Sequence, residues 1–234
     1  MHKRSFKLSV VPAAMCAAFA TQALAADLPI AVRPVTSLMN SNGGPNMLGT
    51  SVVLIRADRF GPSRVNAIQE ATRSPLLQHM IAPARGLLPI DQLNFVQSRV
   101  NTSIRWMSDA TQWGQHDYWA TAEETLVRGA GDMEDRAIVK MHALRALGFP
   151  AKDLFVTLAR DRVGGPVSVL TVRASGGYYI LDDTGGAPYR VDSRVRDFKP
   201  ILSFGWNGAW VHMNAGQRNA VVARASAGAP ASQK

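Results

Sequence analysis

GAGDMEDRAIVKMHALRALG, residues 129–148, is the stretch on which the reading of this chain turns. Asp132 stands where a helix N-cap belongs, and Asp135 three residues later completes a reciprocal cap. Ala137, Ile138, Met141 and Leu144 then recur at helical spacing, and Gly148 followed by Pro150 ends the segment. Asp132, Glu134 and Asp135 crowd carboxylates into the first turn. One or two acids would suffice to cap the helix and complement its dipole. A third adds repulsion that a cation could relieve, and a hard-oxygen donor set suits calcium. Capping and calcium binding are thus both open. Zinc lacks its ligands, since no His-x-x-His-type spacing occurs and the single cysteine lies elsewhere.

Working outward, residues 63–73 and 90–106 show helical periodicity, with Leu93, Val96, Val100 and Ile104 on one face of the second. A short helix is predicted over 122–128. Downstream the texture changes to strands at 154–160, 167–173, 178–182 and 209–213, separated by glycine-rich turns. Helices first and an antiparallel sheet second define an α+β domain, assigned to residues 57–218. Residues 26–56 read as an irregular segment containing a turn cluster at 41–46, and residues 219–234 as a disordered polar tail. There are no internal repeats.

The chain opens with Lys3, Arg4 and Lys7, then a mostly small and apolar run to Leu24, then Ala23-Leu24-Ala25. These are the three parts of a cleaved secretory signal, residues 1–25, implying export to a periplasm. The apolar run is too short for a membrane span and is interrupted by Pro12, Thr21 and Gln22. No later segment offers a span either. Cys16, the only cysteine, falls inside this leader, so the exported chain would carry no thiol. Met15 before it argues against lipid attachment, which wants a small residue there. The net charge of +9 comes mostly from scattered arginines. With no basic run and no aromatic–basic interleaving, nucleic acid is excluded as a partner.

Several blocks in fixed order carry a family resemblance: Val100-Asn101, Trp113-Gly114, Asp117-Tyr118-Trp119, Gly129-Ala130-Gly131-Asp132, Glu134-Asp135, Ala137-Ile138, Lys140, Leu147-Gly148, Val169-Leu170-Thr171-Val172 and Leu181-Asp182. Together they resemble the bacterial transglutaminase-like cysteine peptidases, periplasmic proteases that release surface adhesins from biofilm cells. The resemblance implies a papain-like, transglutaminase-like fold, with N-terminal helices packed on an antiparallel sheet.

It also implies a site whose reactive groups are missing. A cysteine at a helix start is held toward the thiolate by the helix dipole, a strand histidine shuttles its proton, and a carboxylate orients the histidine. The family's Gly-Asp-Cys-Glu-Asp is here Gly-Asp-Met-Glu-Asp, so Met133 stands at the nucleophile position. Matching Val169 to Val172 with the family's strand puts Val167 at the histidine position, and Asp182 alone remains of the triad. His79, His116, His142 and His212 lie outside the matched positions. The resemblance links Asp132, Glu134 and Asp135 to calcium, and Trp113, Asp117 and Trp119 are expected to wall the cleft, with Trp106 and Tyr118 in the same aromatic set. The expected function is a pseudoenzyme that binds a peptide segment of an adhesin or the periplasmic domain of a membrane receptor. A hydrolase or transferase using other groups in the cleft, or a structural envelope protein, are the alternatives.

Overall fold

The computed structural model describes residues 46–56, 59, 61–70, 73–174, 177–190, 198–214 and 216–217. The expected leader, residues 26–45 and the tail at 219–234 lie outside the described residues. In chain order the elements are β1 (Asn46–Met47), β2 (Thr50–Ile55), α1 (Pro62–Gln69), α2 (Pro75–Ile81), α3 (Pro89–Ser103), β3 (Arg105–Trp106), α4 (Asp109–Trp113), α5 (Ala122–Arg128), β4 (Ala130–Gly131), α6 (Met133–Ala146), β5 (Leu154–Asp161), β6 (Pro166–Ala174), β7 (Gly177–Leu181), β8 (Tyr189–Arg190), β9 (Phe198–Gly205) and β10 (Gly208–Met213). Helices precede most of the sheet, as expected of an α+β chain.

Eight strands form one sheet in the order β1-β2-β10-β9-β5-β6-β7-β8, with antiparallel neighbours throughout. The segment 26–56 was expected to be irregular, yet its last part, residues 46–55, is a hairpin whose β2 pairs with β10. The domain therefore begins earlier than residue 57. Leu48 and Gly49 make the turn with φ of 57° and 78°. Leucine rarely adopts such a conformation, which hid the turn from sequence. Leu48 is only 3 % exposed, and the packing of its side chain offsets the strain.

The sheet has two unlike faces, set by the two-residue period of its strands. Leu154, Val156, Leu170, Val172, Leu181, Leu202 and Phe204 meet the helices in the main core. Phe155, Val169, Ile180 and Phe198 point the other way and pack with Met47, Leu48 and Val52. Residues from opposite ends of the strand order share this second cluster, so the sheet is curled.

The helix at the centre is α6. Asp132 caps it, accepting from the N–H groups of Glu134 (3.1 Å) and Asp135 (3.3 Å), while Asp135 accepts from the N–H of Asp132 at 3.3 Å. The predicted cap is the observed one. Every residue from Asp135 to Leu144 is buried, so the expected one-sided stripe understates it. A helix surrounded on all sides is a core helix. Even Lys140 is buried, its ammonium donating to the Asp182 carbonyl at 2.6 Å. Burial pulls its pKa down to about 7.

Candidate functional site

The start of α6 is positioned by a small parallel bridge. Arg105 and Met107 donate to the carbonyls of Gly129 and Gly131 at 2.9 and 3.1 Å, tying β3 to β4 immediately before the cap. Gly131 cannot be larger, because an added Cβ would lie 2.7 Å from the Cβ of Asp135 and 3.0 Å from Thr125 Cγ2. This close approach presses three carboxylates together. Asp109, Asp132 and Asp135 each offer an oxygen, and these oxygens lie within 4.8 Å of one another. Asp109 also accepts from the Tyr118 N–H at 2.7 Å, and Asp135 from the Ala120 N–H at 3.0 Å.

Burial and mutual repulsion raise all three carboxyl pKa values. Asp132 is pushed up to about 9 and Asp135 to about 7, in both cases chiefly because burial penalises the charge. Asp109 shifts upward for the same first reason. Its Oδ1 is buried and accepts no hydrogen bond. A buried carboxylate oxygen without a donor, beside two others in the same condition of repulsion, fits a hard cation held by oxygen ligands. Asp109 escaped the sequence reading because nothing in its spacing places it against Asp132; only the bridge and the loop at 114–121 bring it there. Glu134 was expected in this group. Its Oε1 instead accepts from Ser168 Oγ at 2.8 Å, although its charge still raises the pKa of all three aspartates.

Met133 is the first residue of α6 and is half-buried. Across from this helix start, β6 presents Ser168. Val167, matched to the family's histidine position, does not face Met133. Ser168, Leu170 and Val172 share the helix side of β6, whereas Val167 packs in the opposite cluster with Val169. Strand alternation makes the two positions mutually exclusive on one face.

Leu170 pairs with Leu181, the last residue of β7, and the two carboxylates that follow it go different ways. Asp183 sits 3.6 Å from Arg136, one turn along α6 from Met133. Asp182 Oδ1 accepts from the backbone and hydroxyl of Thr184 at 3.1 and 2.8 Å and from Gln97 at 3.5 Å. It shapes its own turn.

No described histidine reaches this place. His142 bonds the Ala67 carbonyl at 2.8 Å, and His212 lies between Thr50 and Ser203 at 2.6 and 2.8 Å. His79 is exposed on α2, and His116 is exposed in the loop after α4. Methionine has no ionisable proton, and neither valine nor serine can take a proton as imidazole does.

The aromatic block divides. Trp119 is 2 % exposed and packs edge-on against Phe204 at 4.8 Å, so it belongs to the core and not to a cleft wall. Trp113 is half-buried, with its ring 4.6 Å from Tyr118 and the Arg128 guanidinium 3.8 Å above it. Asp117 is exposed and paired with Arg64. The exposed aromatic beside the helix start is Trp106, 57 % accessible and paired in register with Gly131.

A family profile described as bacterial transglutaminase-like cysteine proteinase, BTLCP, matches residues 81–217, which contain every residue of this site. The chain belongs to that family. Among solved structures it is similar to LapG of Legionella pneumophila, with 25 % identity and a TM-score of 0.51 over 73 % of this chain and 98 % of LapG. A calcium-bound form of the same Legionella protein aligns at 26 % identity and TM-score 0.52, covering 73 % and 99 % of the two chains. An EGTA-treated form aligns at 24 % identity, also with a TM-score of 0.52. No match is found among proteins of curated function.

Proposed function

We propose that this protein is a non-catalytic binding member of its family, exported to the periplasm, with its inherited cleft used for recognition rather than turnover. One observation carries the reading. The helix start presents Met133, and the strand facing it presents Ser168, so neither a thiolate nor an imidazole stands where the family's chemistry needs them. What the cleft would hold is an extended peptide segment of an adhesin or the periplasmic domain of a regulatory membrane receptor. Trp106 supplies the accessible aromatic contact beside the helix start.

Calcium would be held by Asp109, Asp132 and Asp135, where it would neutralise buried charge and fix the loop at 114–121 against α6. Glu134 could join only by releasing Ser168. The calcium-bound Legionella relative supports this part of the reading. No described helix is long and apolar enough to cross a membrane, which is compatible with a processed periplasmic protein.

The test is incubation of the purified protein with an adhesin linker peptide that an active relative cleaves, with and without calcium, followed by mass spectrometry. No product is expected, while the protein should slow cleavage by the active relative when added in excess. Sustained turnover by the protein alone would overturn the reading.

A further inference from the structure

The reversal joining α2 to α3 presents an aliphatic tip. A 3-10 turn at Ala82–Ala84 leads into Arg85, Gly86, Leu87 and Leu88, and Pro89 then opens α3. Its backbone is held rigidly. Arg85 donates to the Ala82 carbonyl and Leu87 to that of Ala84, each at 3.2 Å, and Gln92 Nε2 adds a second bond to Ala84 at 3.2 Å. Ala84 is fully buried beneath this turn. Yet Leu87, Leu88 and Ile90 are 40, 68 and 44 % exposed. Leu93, Val96 and Val100 on α3 supply the buried face, so the tip contributes little to the core.

Isolated exposed leucines are ordinary, but three large aliphatic residues within four positions on one hydrogen-bonded turn are not. Arg85 is exposed at the base of the tip, where it bonds Gln78. Asp91 is the nearby acid. We propose that this tip docks on an anionic membrane surface, its aliphatic side chains entering the headgroup boundary while Arg85 meets lipid phosphate. An exposed aliphatic turn suits fluid hydrocarbon, which needs no shaped pocket, and the Arg85 cation suits anionic lipid. The exported chain's net charge of +6, without Lys3, Arg4 and Lys7 of the leader, acts in the same direction. Such docking would concentrate the protein at the membrane independently of what its cleft holds.

The test is flotation of the protein, purified as the cell leaves it, with vesicles of phosphatidylglycerol and phosphatidylethanolamine against vesicles of phosphatidylcholine alone. Preferential recovery with the anionic vesicles is expected. Leu88→Ser should reduce it about tenfold, because one of three inserting side chains becomes polar. The fold should survive, since Leu88 is the N-cap of α3 and makes no side-chain cap bond, which serine would supply. Leu87→Asp provides a second variant with unchanged circular dichroism expected. Equal recovery of parent and both variants would refute the proposal. So would loss of self-association in sedimentation without loss of vesicle binding, which would assign the tip to a protein interface.

Discussion

Asp109→Asn should change stability in opposite directions with and without calcium. The substitution keeps an oxygen for the Tyr118 N–H, 2.7 Å away, and removes one of three carboxylates grouped within 4.8 Å. Two full charges at that separation repel by about 3 kcal/mol at an effective dielectric of 20. Protonation limits the cost, since Asp132 and Asp135 hold their protons up to about pH 9 and 7. At pH 8 Asp135 is ionised, and the Asp109 carboxyl, itself shifted upward by burial, is the neighbour that the substitution removes. The calcium-free variant should gain on the order of 1 kcal/mol, which raises Tm by about 2–4 °C in a chain of this size.

Calcium at a hundred times Kd would stabilise the parent by about 2.7 kcal/mol, and a tenfold weaker site would lose about half of that. The variant should therefore melt above the parent in EGTA and gain less from added calcium. Differential scanning calorimetry with a calcium titration reads both. Equal calcium shifts in the two proteins would remove Asp109 from the site. No shift in the parent would leave the three acids as a helix cap and nothing more.

Three other outcomes are expected. Met133→Cys combined with Ser168→His should give a thiol that alkylates at lower pH than Met133→Cys alone, whereas pairing it with Val167→His should not, because that side chain lies on the far face of the sheet; iodoacetamide rates against pH decide this. Trp119→Ala should cost about 3–5 kcal/mol of stability as a core truncation, while Trp106→Ala should leave Tm within about 1 °C and weaken peptide binding, both followed by melting and fluorescence titration. His142 and His212 are held down to a pKa of about 4 by burial, so each stays neutral in the fold. Each histidine should therefore take away stability on the order of 3 kcal/mol as pH falls from about 6.5 to 4, while Asp132 and Asp135, with raised pKa values, add stability over the same range; urea melts of His142→Gln and His212→Gln beside the parent isolate the histidine part, and the same pH slope in all three proteins would refute the assignment.

Local signals carried the elements that sequence identified well. The Asp132–Asp135 cap, the helix at 122–128 and the strand at 154–160 announce themselves within a few residues of their boundaries. What went unread depends on distant partners. β9 contains Pro200, which normally argues against a central strand. Here it sits where the register between β5 and β9 shifts at Leu158 and Ala159, so its missing N–H interrupts no regular ladder. α2 and α4 are too short for periodicity to mark them.

The candidate site shows the same division more sharply. Matching residues along a strand fixes order but not facing, and one position of slippage exchanges the two sides of the sheet. By sequence, Val167 is the residue aligned with the family's base; by structure, Ser168 is the one that reaches α6, and the carboxylate paired with an α6 side chain is Asp183, at Arg136, while that of Asp182 holds its own turn. Recognition of the scaffold survives this, because caps, turns and core faces are set by many residues at once. Assignment of the reactive positions does not, because it hangs on the parity of one strand. That parity also gives Glu134 a partner the sequence could not supply. While Ser168 holds its carboxylate, Glu134 is kept from the aspartates, so Ser168→Ala should release it and tighten calcium a few-fold, which a calcium titration of the variant against the parent reads.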